Sequence, residues 1–254
     1  MLNFASVMTL TDIIFLDETE STNEYLQGLI MRDNLHPFTV VSAEHQTRGR
    51  GRNDKLWHSE TGMNLTFSMY FKSCINETDK LFRMNKAVAV GIADFLRKEL
   101  QEHEVQIKWP NDIVVSGNKI SGILIENIFS GHDIHCIIGI GLNIRQQNFP
   151  VTDYGAVSMK NLTGKEYDTH ECLRALIRIL QHHILISQSD QWHQISEQYY
   201  QLLFQRDEEC KYLIDGVNCT AVILDVDEYG KLHILNTTTG HEQLLEHSRV
   251  KYLF

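Results

Sequence analysis

The sequence predicts an α+β fold, a β-sheet with helices packed on it, followed by a small C-terminal β-barrel. Three observations lead there. Up to about residue 205, short apolar runs with strand alternation interleave with longer runs at helical spacing. From Arg206 the texture changes to short, closely spaced strands and turn dipeptides, the pattern of a small barrel. No internal repeat, low-complexity linker or apolar run long enough for a membrane helix interrupts the chain. The expected division is therefore 1–205 and 206–254.

Residues 13–16 (IIFL) read as a buried strand, and Tyr25, Leu26, Leu29 and Ile30 follow at helical spacing. Ser21 with Glu24 three residues on fits a capping box. The same hydroxyls and N–H groups at a helix start also suit a polar or anionic ligand. Residues 38–43 form a second strand, and 65–71 a third with Leu65, Phe67, Met69 and Phe71 on one face. An amphipathic helix over 76–101 carries Leu81, Met84, Val88, Ile92 and Phe95 as its apolar stripe.

In residues 104–112, Val105, Ile107 and Trp109 share a face, while Gln106 and Lys108 point the other way. Pro110 ends that strand and forces Trp109 to be extended, which leaves Lys108 at a strand end. A hairpin turning at 116–119 joins 113–115 to 120–128. In the strand at 134–144, Ile138, Ile140, Leu142 and Ile144 face one side and Gly139, Gly141 and Asn143 the other. That bare strip fits either tight packing or the close approach of a flat ligand. Residues 146–156 read as a loop. Asp168 with Glu171 caps a helix to about Ile186, and a further helix spans about 191–204. Short strands follow at 210–214, 217–226, 231–235 and 243–245.

A formal net charge of −10 opposes broad affinity for nucleic acid, because phosphate contacts need a basic surface. It makes the arginines of Gln46-Thr47-Arg48-Gly49-Arg50-Gly51-Arg52 stand out as a focused site for a small anion. Arginine presents a planar fork matched to carboxylate and phosphate, and glycine allows the backbone to come close to a ligand. The five cysteines are odd in number, widely spaced and never C-x-x-C, which argues for reduced thiols and against a zinc site. No histidine grouping carries a ligand pattern, so no metal ligands are assigned. The N-terminus lacks the basic and small-residue features of a signal peptide, so a cytoplasmic location is expected.

Four features stand in order: Ser21-Thr22-Asn23; Gln46 to Arg52 with Trp57, Gly62 and Asn64; Lys108-Trp109-Pro110-Asn111-Asp112 followed by Lys119-Ile120-x-Gly122-Ile123-Leu124-x-Glu126; and Gly139-x-Gly141-x-Asn143. Together they closely resemble the catalytic domain of biotin protein ligases, over roughly residues 13–205. The resemblance implies a mixed sheet related to class II aminoacyl-tRNA synthetases, with the barrel matching that family's C-terminal domain. It implies adenylation of biotin by ATP with Mg2+, then transfer of biotin to a lysine of a biotin carboxyl carrier protein.

By resemblance, Lys108, Arg50 and Arg52 are catalytic, and the loop arginines close over biotin and the phosphates. Ser21, Thr22, Asn23, Gln46 and the glycines Gly49, Gly51, Gly122 and Gly141 fall on the substrate side. Trp57, Asn111, Asp112 and Asn143 fall on the nucleotide side, with Asp112 a candidate for the magnesium. The chain has no N-terminal helix-turn-helix, so ligase activity without operon repression is expected. Asn53-Asp54-Lys55 stands where many relatives carry a further arginine. Lipoate ligases share this fold and an active-site lysine, but the GRGR and KWPND pair speaks against that reading. Exposed edge strands leave a homodimer open; neither nucleic acid nor membrane is expected as a partner.

Overall fold

The computed structural model describes residues 12–32, 35–53, 55–73, 81–150 and 155–253. Its main sheet has seven strands: β1 (Ile13–Thr19), β2 (Val40–Gln46), β3 (Leu65–Ser73), β4 (Val105–Lys108), β5 (Asp112–Val115), β6 (Asn118–Ser130) and β7 (Asp133–Leu142). Their spatial order is β1-β2-β3-β7-β6-β5-β4. β1 and β2 are parallel because helix α1 (Thr22–Ile30) crosses between them, and every other neighbouring pair is antiparallel. The sheet is thus mixed, as expected.

The two faces of β3 go to different places. Leu65, Phe67, Met69 and Phe71 enter the main core, with Val88, Ile92 and Phe95 of α2 (Phe82–Leu100). Tyr70 points to the opposite side and packs with Leu26 of α1, Val41 and Ile137. Strand β3 is therefore buried on both sides, and its small polar residues Thr66 and Ser68 are almost inaccessible. The expected start of the α2 helix at 76–80 lies outside the described residues. Asp168 accepts a hydrogen bond from the Glu171 N–H and so caps α4 (Thr169–Ser187), the anticipated arrangement. Such a cap contributes about 1 kcal/mol.

Helix α3 (Met159–Thr163) was not expected. Ser158 and Asn161 form a capping box around it, a signal that five residues cannot display as periodicity. Helix α5 (Trp192–Gln201) ends earlier than the sequence implies, and Leu203 pairs beside Ile107 of β4 instead.

The C-terminal strands correct one expectation. β8 (Glu209–Ile214), β9 (Val217–Val226), β10 (Leu232–Asn236), β11 (Glu242–Leu245) and β12 (Val250–Tyr252) form a five-stranded antiparallel sheet ordered β11-β10-β9-β8-β12. It is open rather than a closed barrel. Closure needs the two edge strands to pair, yet β11 and β12 are short and each pairs on one side only. Tyr212, Ile223, Leu232 and Tyr252 belong to the same apolar cluster as α2 and α4. Lys86 of α2 reaches across to this sheet, donating to the Val226 carbonyl (3.1 Å) and the Tyr200 hydroxyl (3.0 Å). Burial pulls its ammonium down to about 8.

Candidate active site

The β1–α1 turn supplies a neutral polar floor. Ser21 is the N-cap residue of α1, but its side chain makes no capping bond, so the capping box does not form. Glu24, the expected partner, is held by Arg50 instead (2.9 Å). The Thr22 N–H and hydroxyl both donate to Gln46 Oε1 (2.8 and 3.1 Å). Ser68 Oγ lies 2.7 Å from Thr22 Oγ1 and 2.5 Å from Asn23 Oδ1. Asn23 Nδ2 donates to Glu126 Oε2 (2.7 Å) and to the Leu124 carbonyl (3.3 Å). Thr22, Asn23, Gln46 and Ser68 are each oriented by at least one neighbour, and Ser21, Thr22 and Asn23 are each 3% exposed.

The glycine-arginine loop doubles back on itself. Gly51 N–H donates to the Lys55 carbonyl (2.7 Å), and Trp57 N–H donates to the Gly49 carbonyl (2.9 Å). A Cβ on Gly49 would sit 2.7 Å from the Trp57 carbonyl oxygen, so the fold-back needs glycine there. Arg50 is gripped by Glu24 and, at 2.6 Å, by Glu126. The hydrogen bond to Glu24 is the main cause of its raised pKa. Arg52 is half-buried and desolvation lowers its pKa, with Asp112 acting in the opposite sense.

The glycine strip on β7 is filled from within the chain. The Trp57 indole lies against Gly141 and Gly122, and the Asn23 amide occupies the space beside Gly139. Tight packing is thus what these glycines serve in this structure. The indole Nε1–H is buried and has no hydrogen-bond partner among the described residues.

Lys108 closes the other side. It is 8% exposed, and its Nζ stands 4.3 Å from the centroid of the Tyr252 ring. Burial, assisted by Lys119 and Lys55 and opposed by Asp112, brings its ammonium down to about 8. Asp112 pairs with Lys119 at 2.7 Å. Asn111 Nδ2 donates to the Ile123 carbonyl (2.8 Å), fixing the turn that follows Lys108. The Trp109–Pro110 peptide is cis, and Trp109 Nε1 donates to the Gly230 carbonyl (2.9 Å). The lysine is therefore positioned partly by the C-terminal sheet.

These pieces enclose a cavity of about 540 Å³. Ser21, Thr22, Asn23, Gln46, Arg50, Gly51, Arg52, Trp57, Lys108, Asn111, Asp112, Gly122 and Gly141 all line it. Gly49 and Asn143 do not: Gly49 braces the loop, and Asn143 Nδ2 donates to the Val157 carbonyl (3.1 Å) ahead of α3. Sequence reasoning missed Ser68 and the contributions of His247, Lys251 and Tyr252. The last three come from a segment whose elements are too short to leave a pattern. Phe67, Ile123, Leu124 and Ile140 add an apolar sector. Cations dominate the remaining wall, with Arg50, Arg52, Lys55, Lys108, Lys119 and Lys251 against Asp112. Among the described residues no group of three or more His, Cys, Asp or Glu is arranged to hold a metal.

Fold and site together define an α+β domain built around a cavity with a largely cationic wall and a neutral polar floor. Residues 15–143 match the model of the biotin/lipoate A/B protein ligase family, and the chain belongs to that family. It is 33% identical over 161 residues to the bifunctional ligase/repressor BirA of Bacillus subtilis, covering 61% of this chain and 48% of that protein. The biotin--[acetyl-CoA-carboxylase] ligase of Mycobacterium tuberculosis is 26% identical over 222 residues, 85% of this chain and 80% of that one. The alignments to the bifunctional bacterial ligase/repressors span about half of those proteins' length. Among solved structures, biotin protein ligase from Aquifex aeolicus in complex with biotin and ATP superposes with a TM-score of 0.76. That match has 24% identity and covers 95% of this chain and 98% of the other.

Proposed function

We propose that this chain is an ATP-dependent biotin–protein ligase that makes biotinyl-5'-adenylate and passes the biotinyl group to a lysine of a biotin carboxyl carrier protein. One observation carries the reading: Lys108 and the loop arginines converge on the same cavity as the neutral Ser21-Thr22-Asn23-Gln46 floor. That pairing suits a ligand with an uncharged polar ring at one end and a carboxylate at the other.

In the first step a biotin carboxylate oxygen attacks the α-phosphorus of ATP and pyrophosphate leaves. Two anions must meet, so preorganised cations supply most of the stabilisation. Lys108 is assigned to the junction of carboxylate and α-phosphate, and Arg50 and Arg52 to the phosphates and the closure of the loop. Ser21, Thr22, Asn23 and Gln46 take the ring, with Gly51 allowing close backbone approach and Gly122 acting through the Trp57 indole packed on it. Gly49 and Gly141 act through the folded loop and the seat of Trp57. Trp57, Asn111, Asp112 and Asn143 are assigned to the nucleotide side, where the unpaired indole N–H offers a donor and Asn143 supports the wall from behind.

In the second step the acceptor lysine amine attacks the anhydride carbonyl, forming an amide and releasing AMP. Magnesium fits as an ion carried in by ATP, because it keeps water and phosphate oxygens as ligands and needs few carboxylates. Among the described residues, Asp112 is the carboxylate in the cavity wall that would meet it, and the ion would neutralise phosphate charge.

The reading includes 1–205 as the catalytic domain, related to class II aminoacyl-tRNA synthetases, and 206–254 as a small C-terminal β domain. A cytoplasmic enzyme with a carrier domain as partner, and a homodimer through exposed sheet edges, complete it. Incubating the protein with biotin, MgATP and a carrier domain, and reading intact mass, tests the proposal. One biotinyl addition per carrier supports it, and an unmodified carrier with biotin and ATP present overturns it.

A further inference from the structure

Asn53 directly follows the arginine loop. Its backbone is left-handed (φ 52°), a conformation that asparagine tolerates better than most residues. This turn carries the side chain to the C-terminal sheet, where Asn53 Nδ2 lies 3.3 Å from Nδ1 of His247. His247 sits on the 3-10 turn His247–Arg249 between β11 and β12. Its ring is 5.7 Å from that of Trp109, the neighbour of Lys108, and it lines the same cavity.

With the Asn53 amide nitrogen facing the ring, the contact is a hydrogen bond in the neutral tautomer of the imidazole. An amide NH2 only donates, so Nδ1 accepts in the tautomer that carries its hydrogen on Nε2. Its surroundings favour that state. Burial, then Arg52, Lys55 and Lys108, hold its pKa below the usual histidine range, with Asp112 opposing. A neutral ring is the form that can stand beside three cations while receiving a donor.

We propose that His247 is the latch of the arginine loop: its Nδ1 holds Asn53 and keeps Arg52 over the cavity while the activated ligand is inside. The tilted ring contact with Trp109 ties that latch to the strand end bearing Lys108. His247 is thus a positioning residue, acting through Asn53 on loop closure. The inference rests on the ligase reading, since it gives the latch an adenylate to retain.

The test is the dissociation rate of preformed biotinyl-5'-adenylate, followed by tryptophan fluorescence in the wild-type full chain, His247→Phe, His247→Asn, Asn53→Ala and the Asn53→Ala/His247→Phe double variant. Phenylalanine keeps a ring on Trp109 and removes the acceptor. Asparagine keeps an acceptor near the Nδ1 position. Release is expected to be about 3- to 10-fold faster in His247→Phe and in Asn53→Ala, as for loss of one neutral hydrogen bond. The double variant should be no faster than either single one, and His247→Asn should stay close to wild type. Wild-type release from both single variants, or additive effects in the double variant, overturns the latch alone. Asn53 is exposed, so its variant keeps the test decisive if His247→Phe folds poorly. A wild-type protein that does not bind the adenylate overturns the ligase reading and the latch with it.

Discussion

The Trp57 indole lies against Gly141 so closely that a Cβ there would fall 2.5 Å from Cζ2. Eighty-odd residues separate the two, and they define the wall assigned to the nucleotide. Gly141→Ala is expected to push the indole out of its slot, shift tryptophan emission to the red and weaken ATP binding at least tenfold. The folded state should survive, because one extra methyl in a packed site costs about 1–3 kcal/mol. Unchanged emission together with unchanged ATP affinity would show that the slot has no role.

Glu126 holds two site residues at once, Arg50 through Oε1 and Asn23 through Oε2. Glu126→Gln retains an acceptor for Asn23 and removes the charge facing Arg50. The Arg50 pair is partly exposed, so stability should change by less than about 1 kcal/mol. Biotin affinity, measured by calorimetry, is expected to fall several-fold as the polar floor loosens. A large loss of stability with intact biotin binding would reverse that assignment.

Lys108 sets a pH dependence. In the free protein its ammonium titrates near 8, below its ordinary value because of burial. An anionic ligand holds the proton on, so the bound-state value lies higher. Affinity for ATP is therefore expected to be flat below about pH 8 and to fall above it, by up to about tenfold per pH unit. Lys108→Arg, which stays charged, should flatten the profile between pH 8 and 9.5. An equal slope in both proteins would place the titration elsewhere.

His183 of α4 presents Nε2 to Asp94 of α2 (3.0 Å) and Nδ1 to the Ile179 carbonyl (2.9 Å). Burial depresses its pKa, but the hydrogen bond to Asp94, the one to Ile179 and the Asp94 charge together raise it above the usual 6.5. A folded-state value above the unfolded one contributes stability that is complete below about pH 6.5 and is lost as pH rises through the folded value. The gap in melting temperature between wild type and His183→Gln should therefore narrow from pH 6 to pH 9. A gap that widens would contradict the charged pair.

Much of the site was legible because its residue types sit at turns and strand ends. The order of Ser21, Gln46, Arg50 and Lys108 survives as a shared cavity. The glycine strip on β7 was legible as a gap but not by occupant, since Trp57 reaches it from a distant loop. Ser21 and Glu24 satisfied a local capping rule that lost to Arg50, which pulls Glu24 away from the helix end. His247 and Tyr252 left no signal, because a three-residue strand and a single 3-10 turn have no periodicity to read. The barrel was expected from strand spacing, which reports how many strands there are and not whether the edges meet.

The central claim is that Lys108 and the loop cations bring a biotin carboxylate onto the α-phosphate of ATP. Biotin-dependent exchange of labelled pyrophosphate into ATP measures that step without any carrier protein. The account predicts exchange by the wild-type chain and a loss of about 100-fold or more in Lys108→Ala, as for removal of a central electrostatic stabiliser. No biotin-dependent exchange in the folded wild type, or near-normal exchange in a folded Lys108→Ala, would contradict it.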